Sequence, residues 1–354
     1  MTQTGIVAEL KAGLYLHAGL NAERVFGATN CQRAEDRFGP TGCGVVEAAR
    51  EILTICGERG GLDSRGAIEA AFSGSTGESI FGNVVEAAML EPFKSGDSTL
   101  GWVLEREILN FKTNERIRRK RVEQLQSLPR GQTAEHHQPE FGDAETYRAH
   151  RFAKTFQVDS QDLVTHDLSA ITDPARMFGE AALSLKKDLV YSKLLENANL
   201  VDGVAAFDST RGNLNTTTAL SEANLDASLA SMELLRENDL PVDALAKYLV
   251  CPPELGGLAR RLNREMGNPL TVRSDSRLSN GVVDPLNGTV FAGSATTWYL
   301  SAADGPLEFG YISSNRPTLR SYTLDKGQWG VGWDVVFDVG AAMVGHLGLQ
   351  KNTA

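Results

Sequence analysis

Between Arg116 and Tyr147 the chain shows no apolar face of either helical or strand period with which to bury itself. A compact domain seldom tolerates so long a connection without structure of its own, so this segment is expected to project. Its charges are sorted by sign. Lys112 to Arg121 holds six cations (Lys112, Arg116, Arg118, Arg119, Lys120, Arg121) against one anion, Glu115. From Glu135 to Glu145 four anions (Glu135, Glu140, Asp143, Glu145) stand without a single Lys or Arg. Pro129, Gly131, Pro139 and Gly142 supply a tip, and the segment reads as two extended arms of a long hairpin. An isolated two-stranded hairpin is marginal in water, so another molecule is expected to hold it. Opposite charges meeting across copies of the chain set register and partner choice. Arg116, Arg118, Arg119, Lys120, Arg121, Glu135, Glu140, Asp143 and Glu145 are therefore the expected inter-subunit contact residues. A merely solvated charged loop is the plainer alternative.

Composition bounds the rest. A chain of 354 residues suggests about two domains. With 42% hydrophobic and 23% charged residues it lies in the range of ordinary folded proteins. Its net charge of -10 argues against a surface that neutralises nucleic-acid phosphates throughout, so any basic patch is local. Met1 to Asn21 lacks a cationic region followed by a compact apolar block, so no secretory signal is expected. Val331 to Leu349 is interrupted by Asp334, Asp338 and His346, which excludes it as a membrane span. Four cysteines, Cys31, Cys43, Cys56 and Cys251, are too few and too scattered for a disulfide framework and fit a reducing, cytoplasmic history.

Along the chain, Val45 to Cys56 and Ser64 to Phe72 carry helical stripes, set apart from the later chain by the linker-like Ser73-Gly74-Ser75-Thr76-Gly77. Such short helices need a partner surface. Ser79 to Leu90 reads as a helix stopped near Pro92, Trp102 to Phe111 and His150 to Val158 as strands. Asp173-Pro174 predicts an N-cap and first turn for a helix reaching about Asn197, with Phe178, Ala182, Leu185 and Leu189 on one stripe. Ser221 caps another, with Leu225, Leu229, Met232 and Leu235, ended by Pro241. Tyr248 to Val250, a helix from Pro252-Pro253 to Glu265, Leu270 to Arg273 and Thr297 to Leu300 complete an α+β module, and Leu307 to Leu349 is mostly strand.

Few residues are spaced for chemistry. There is no G-x-S-x-G and no H-E-x-x-H. His166-Asp167 are neighbours in sequence, which does not place an imidazole against a nucleophile; a polar loop histidine is the stronger reading. His136-His137 lack further ligands at workable spacing. Cys31, Cys43 and Cys56 lack C-x-x-C spacing and read as buried thiols. Gly39-Pro40-Thr41-Gly42-Cys43-Gly44 could cradle an anion with its backbone N–H groups, but has no phosphate-loop lysine and reads better as a tight turn into a helix. The basic run Asn114 to Val122 has no aromatic residue on which a base could stack.

Several stretches carry a family likeness: Gly142-Asp143-Ala144-Glu145-Thr146-Tyr147-Arg148, Asp173-Pro174-Ala175-Arg176-Met177-Phe178-Gly179 through Lys187-Asp188-Leu189-Val190-Tyr191, Arg211-Gly212-Asn213-Leu214, Lys247-Tyr248-Leu249-Val250-Cys251-Pro252-Pro253, Trp298-Tyr299-Leu300 and Phe337-Asp338-Val339-Gly340-Ala341-Ala342. In this order and spacing, from about Gly77 to the C-terminus, the chain resembles the major capsid protein of tailed bacteriophages, and more closely the Mu-like major head subunit family.

The resemblance implies an α+β chain with the Hong Kong 97 type capsid fold. It divides the sequence into an N-terminal arm or scaffold-like segment (1–76), the start of a peripheral P-domain (77–111), an E-loop (112–152), P-domain with a long spine helix (153–215), an axial A-domain (216–305) and final P-domain strands (306–354). It implies homo-hexamers and pentamers closing an icosahedral shell in the virion, assembled in the host cytoplasm. Double-stranded DNA would be non-specific cargo, portal and decoration or scaffolding proteins partners, and loops such as Asp275 to Asn287 further interface. No enzyme activity, cofactor, metal or membrane partner is implied. Arg121 to Arg151 contains no lysine, so crosslinking through an E-loop lysine is not expected. An acidic chain fits a lining along which packaged DNA slides. The rival readings are a nucleic-acid-binding protein using Lys112 to Arg121, marked by salt-sensitive duplex binding, and an enzyme dependent on His166.

Overall fold

The computed structural model describes residues 3–57, 62–119, 127–128, 130, 133, 141–237, 240–242, 244–303, 305–322, 324 and 330–354. Six helices come first: α1 (Gln3–His17), α2 (Ala22–Phe26), α3 (Ala28–Phe38), α4 (Val45–Ile55), α5 (Ser64–Ser73) and α6 (Ser75–Asp97). Strands β1 (Leu104–Glu107), β2 (Asn114–Arg119), β3 (Phe141–Tyr147) and β4 (His150–Asp159) come after them, then α7 (Ser160–His166) and the long α8 (Ser169–Glu196). Next are β5 (Leu214–Asn215), α9 (Glu222–Glu233), β6 (Arg236–Glu237), β7 (Leu240–Pro241), β8 (Ala246–Cys251), α10 (Pro253–Glu265), β9 (Thr271–Ser274) and α11 (Arg277–Asn280). The chain ends with β10 (Val282–Val283), β11 (Val290–Phe291), β12 (Trp298–Ala302), β13 (Leu307–Tyr311), β14 (Thr318–Tyr322), β15 (Gly330–Met343) and β16 (Leu349–Asn352).

Two compact units are built from these elements, the first from residues 1–97, 151–184 and 316–337. Here the early helices find the partner surface their stripes require. Leu10, Leu14, Ala48, Ile52, Ile68 and Phe81 pack in one core with Phe156, Val158, Leu163, Ile171 and Trp333. Trp333 stacks on Phe156 at 5.2 Å and meets Phe72 edge-on at 6.3 Å. The Gly39–Gly44 segment is the tight turn expected, with Gly39 and Gly42 at positive φ. An anion does sit at the N-terminus of α4, and the same chain supplies it. The Asp167 carboxylate accepts the Val45 N–H at 2.6 Å and pairs with His17 Nε2 at 2.6 Å.

At Pro92 and Pro174 the helices run past the limits read from the sequence, because burial overrides proline. Ser73 to Gly77 is no linker: a bend at Gly74 separates α5 from α6, and α6 then runs through Pro92 to Asp97. Met89 and Phe93, on either side of the proline, are fully buried, and Phe93 meets Phe337 edge-on at 5.8 Å. Likewise α8 begins at Ser169, so Asp173 is not its N-cap and Pro174 lies in its second turn. An interior proline costs about 3 kcal/mol. Burying Ile171, at about 1.5–3 kcal/mol, together with Ala175 in the same turns and Leu168 just before the helix, offsets that.

The second unit comprises residues 98–150, 185–315 and 338–354. Its sheet runs β5-β16-β12-β8-β9, with β12 antiparallel to both β16 and β8 and the outer pairs parallel. α9 and α10 cover one face through Leu225, Met232, Ala259 and Leu262 against Leu249, Trp298 and Leu300. Ser221 caps α9 as expected, its hydroxyl accepting the Asn224 N–H, but the helix stops at Glu233, well before Pro241. Also in this unit β13 pairs in parallel with β1 and antiparallel with residues 339–343 of β15. The expected strand from Trp102 to Phe111 is confined to Leu104–Glu107, because Gly101 to Val103 turns. All four cysteines are free; Cys31, Cys43 and Cys251 are buried, whereas Cys56 is exposed, contrary to its reading as a buried thiol.

Candidate functional site: the charged hairpin and its anchorage

β2 and β3 pair antiparallel, with Arg116 opposite Glu145 and Asn114 opposite Tyr147. Arg118, Arg119 and Asp143 therefore lie on these paired strands. Gly142, also expected at the tip, lies within β3, whereas Lys120, Arg121, Glu135, Glu140 and the other expected tip residues Pro129, Gly131 and Pro139 lie outside the described residues, as do His136 and His137.

Where the hairpin meets its own body, a buried carboxylate holds it. Glu308 on β13 is 2% exposed. Its Oε1 accepts from Arg116 Nε at 2.7 Å and from the Tyr147 hydroxyl, and Arg106 Nε lies 3.7 Å from Oε2. The Arg116 guanidinium lies over the Tyr147 ring at 5.8 Å. Burial, reinforced by the bond to Glu308, pushes the Tyr147 phenol well up, so it stays protonated and donates. One strand from each arm thus contributes a side chain to one carboxylate. Gly310 makes room for this: a Cβ there would stand 2.2 Å from Ile108 Cδ1 and 2.7 Å from Tyr147 Cε2. On the opposite arm Glu145 accepts the Val201 N–H at 2.7 Å. Arg116 and Glu145, two residues expected to act between subunits, meet partners on their own chain.

Glu308 escapes sequence reasoning because Leu307, Glu308 and Phe309 are all buried, so β13 has no alternation that would single it out. The segment Asp275 to Asn287 hides similar partners. Asp275 pairs with Lys187 at 3.1 Å, and Arg277 with Asp188. Asp284, 1% exposed, pairs with Lys193 at 3.2 Å. Burial alone would lower the Lys193 ammonium, but Glu196 and Asp284 outweigh it and hold it raised. A raised lysine contributes stability that is complete below its unfolded value, about 10.4, and is lost as pH climbs through the folded value. Protection of the 275–287 amides, measured as exchange corrected for its base-catalysed intrinsic rate, is thus expected to hold through neutral pH and to fall only in strong alkali; a loss of protection between pH 6 and 9 would refute the pairing. Val283 and Val290, cross-strand partners on β10 and β11, remain exposed, so this segment is charged toward α8 and apolar outward.

Among the described residues no group of three His, Cys, Asp or Glu could hold a metal ion, and no helix is long and apolar enough to cross a membrane. The Asp167 carboxylate is held by His17 and by the Val45 N–H at the start of α4.

A family model described as phage capsid protein matches residues 143–352, well over half of the chain. The chain belongs to the phage capsid protein family. The capsid of Cyanophage P-SCSP1u is similar to this capsid protein over 72% of its length and 86% of the cyanophage chain, at 10% identity and a TM-score of 0.50. The mature capsid of bacteriophage PhiM1 covers 72% of it, and 86% of its own chain, at 14% identity and a TM-score of 0.49. The virus-like particle of Pyrococcus furiosus covers 76%, and 97% of its own chain, at 13% identity and a TM-score of 0.45. The curated proteins contain no match. The capsid protein thus has the α+β fold of the Hong Kong 97 type. Family and fold are those of a structural shell protein and not of an enzyme.

Proposed function

We propose that this capsid shell protein assembles as hexamers and pentamers of a closed icosahedral shell around double-stranded DNA, in the host cytoplasm, with the charged hairpin of each subunit laid on its neighbour. The observation that carries this reading is the hairpin itself. Its base is fastened to the subunit by the buried Glu308, whereas the segment beyond has no apolar face with which to bury itself. Arg118, Arg119, Lys120 and Arg121 on one arm and Glu135, Glu140 and Asp143 on the other are the residues offered to a neighbouring copy. Packaged DNA is non-specific cargo in this reading, and a portal with scaffolding or decoration proteins would complete the particle.

Electron microscopy of the purified protein tests it, with closed shells or capsomer rings expected. The combined Arg118→Glu and Arg119→Glu substitution is expected to leave the melting temperature and circular dichroism of the subunit unchanged while shells are lost. Wild-type shell yield in that variant would remove the hairpin from the assembly mechanism.

A further inference from the structure

α9 packs against β16 and β8, and α10 against β8 and β9, over a shared apolar cluster. Away from that cluster the two helices carry opposite charge. Glu222, Asp226 and Glu233 are exposed on α9 at positions i, i+4 and i+11, which fall within a narrow arc of a 3.6-residue helix, and α9 contains no Lys or Arg. Arg260, Arg261 and Arg264 are exposed on α10. The two glutamates of α10 stand near its ends, and Glu254 is taken by the Ser279 hydroxyl at 2.6 Å. Among the described residues none of these three acids or three arginines has an ion-pair partner; Arg260 reaches the Ser274 hydroxyl at 3.1 Å. The two stripes do not neutralise each other within the chain.

Gly257 adds a second observation. It lies on the arginine face of α10, is exposed, and a Cβ built there would meet nothing within 4 Å. Glycine inside a helix weakens it, and no neighbour among the described residues requires one here. A second chain packed closely against this face would.

We propose that the Arg260, Arg261 and Arg264 face of α10 docks on the Glu222, Asp226 and Glu233 face of α9 in the next copy of the chain, with Gly257 at the closest approach. The proposal rests on the capsid-assembly reading above and names two surfaces that meet in it. Two different patches of one molecule, complementary in charge, make a head-to-tail contact, and such a contact generates a ring when its rotation closes. A duplex phosphate backbone would satisfy α10 but leave the α9 acids without a role, so a second copy accounts for more of the surface.

Sedimentation and microscopy of reversal variants test this. Arg261→Glu with Arg264→Glu, and separately Glu222→Arg with Asp226→Arg, are each expected to lower ring and shell yield about tenfold at physiological salt while the exposed substitutions leave the subunit folded. The chain carrying all four reversals is expected to recover most of the yield, since its α9 and α10 faces are complementary again. Gly257→Ala is expected to raise the melting temperature of the free subunit by roughly 2 °C, and Gly257→Gln to leave it folded while lowering assembly. Wild-type yield in both reversal pairs overturns the proposal and leaves capsid assembly standing, as does failure of the fourfold variant to recover. Loss of duplex DNA retention on reversing α10, with α9 reversal silent, assigns the arginines to DNA and also overturns it. A wild-type chain that forms no ring or shell overturns capsid assembly itself.

Discussion

Glu308→Ala is expected to cost the free subunit about 3 kcal/mol and to abolish shell formation. The carboxylate is 2% exposed and receives Arg116, Arg106 and the Tyr147 hydroxyl. Truncation leaves a buried phenol and a half-buried guanidinium without their acceptor. Breaking a buried ion pair from one side costs about 3–5 kcal/mol, and Arg116 retains 24% exposure, which places this case at the lower end. Because Arg116 and Tyr147 stand on opposite arms of the hairpin, the loss is local to its base. Amide exchange at 114–119 and 141–147 is expected to rise far more than exchange in β8 and β12. Glu308→Gln keeps an acceptor for Tyr147 but loses the charge, and an intermediate loss is expected. Unchanged exchange at Asn114–Arg119 in the alanine variant would refute the anchoring role.

Gly179→Val carries the second large effect, an expected loss of about 3 kcal/mol or more in the unit built on α6 and the first half of α8. A Cβ at Gly179 would stand 2.0 Å from the Met89 carbonyl oxygen and 3.0 Å from Pro92 Cγ. The first of these is backbone inside a helix, which cannot rotate aside as a side chain would. The helices must separate, and the buried Met89 and Phe93 go with them. Thermal unfolding of the subunit followed by tryptophan fluorescence reads this directly, because Trp333 lies in the same unit. A melting temperature equal to wild type would show that α6 and α8 have slack at this contact. Gly96, whose Cβ would meet the far end of the Leu183 side chain at 2.2 Å, is the contrasting case, since that side chain can turn. Gly96→Ala is expected to cost far less than Gly179→Val.

Features written in local chemistry could be read from the residues alone. The stripe of α4, the Ser221 cap, the start of α10 at Pro253 and the two arms of the hairpin arise from periodicity, capping and charge within a few residues. Membership of the phage capsid protein family was legible by resemblance, through short motifs in a characteristic order along the chain. Tertiary structure alone decided the elements whose local signals lose to burial. Pro92 and Pro174 both read as helix boundaries, yet both lie inside helices, because the apolar residues around them are buried by distant segments of the same unit. It also decided the anchorage of the hairpin. Glu308 lies far along the chain from Arg116, in a strand buried on both faces. No periodicity marks a carboxylate there; only folding brings two arms and a third strand to one charge, in a place where an unpaired carboxylate would be too costly to bury.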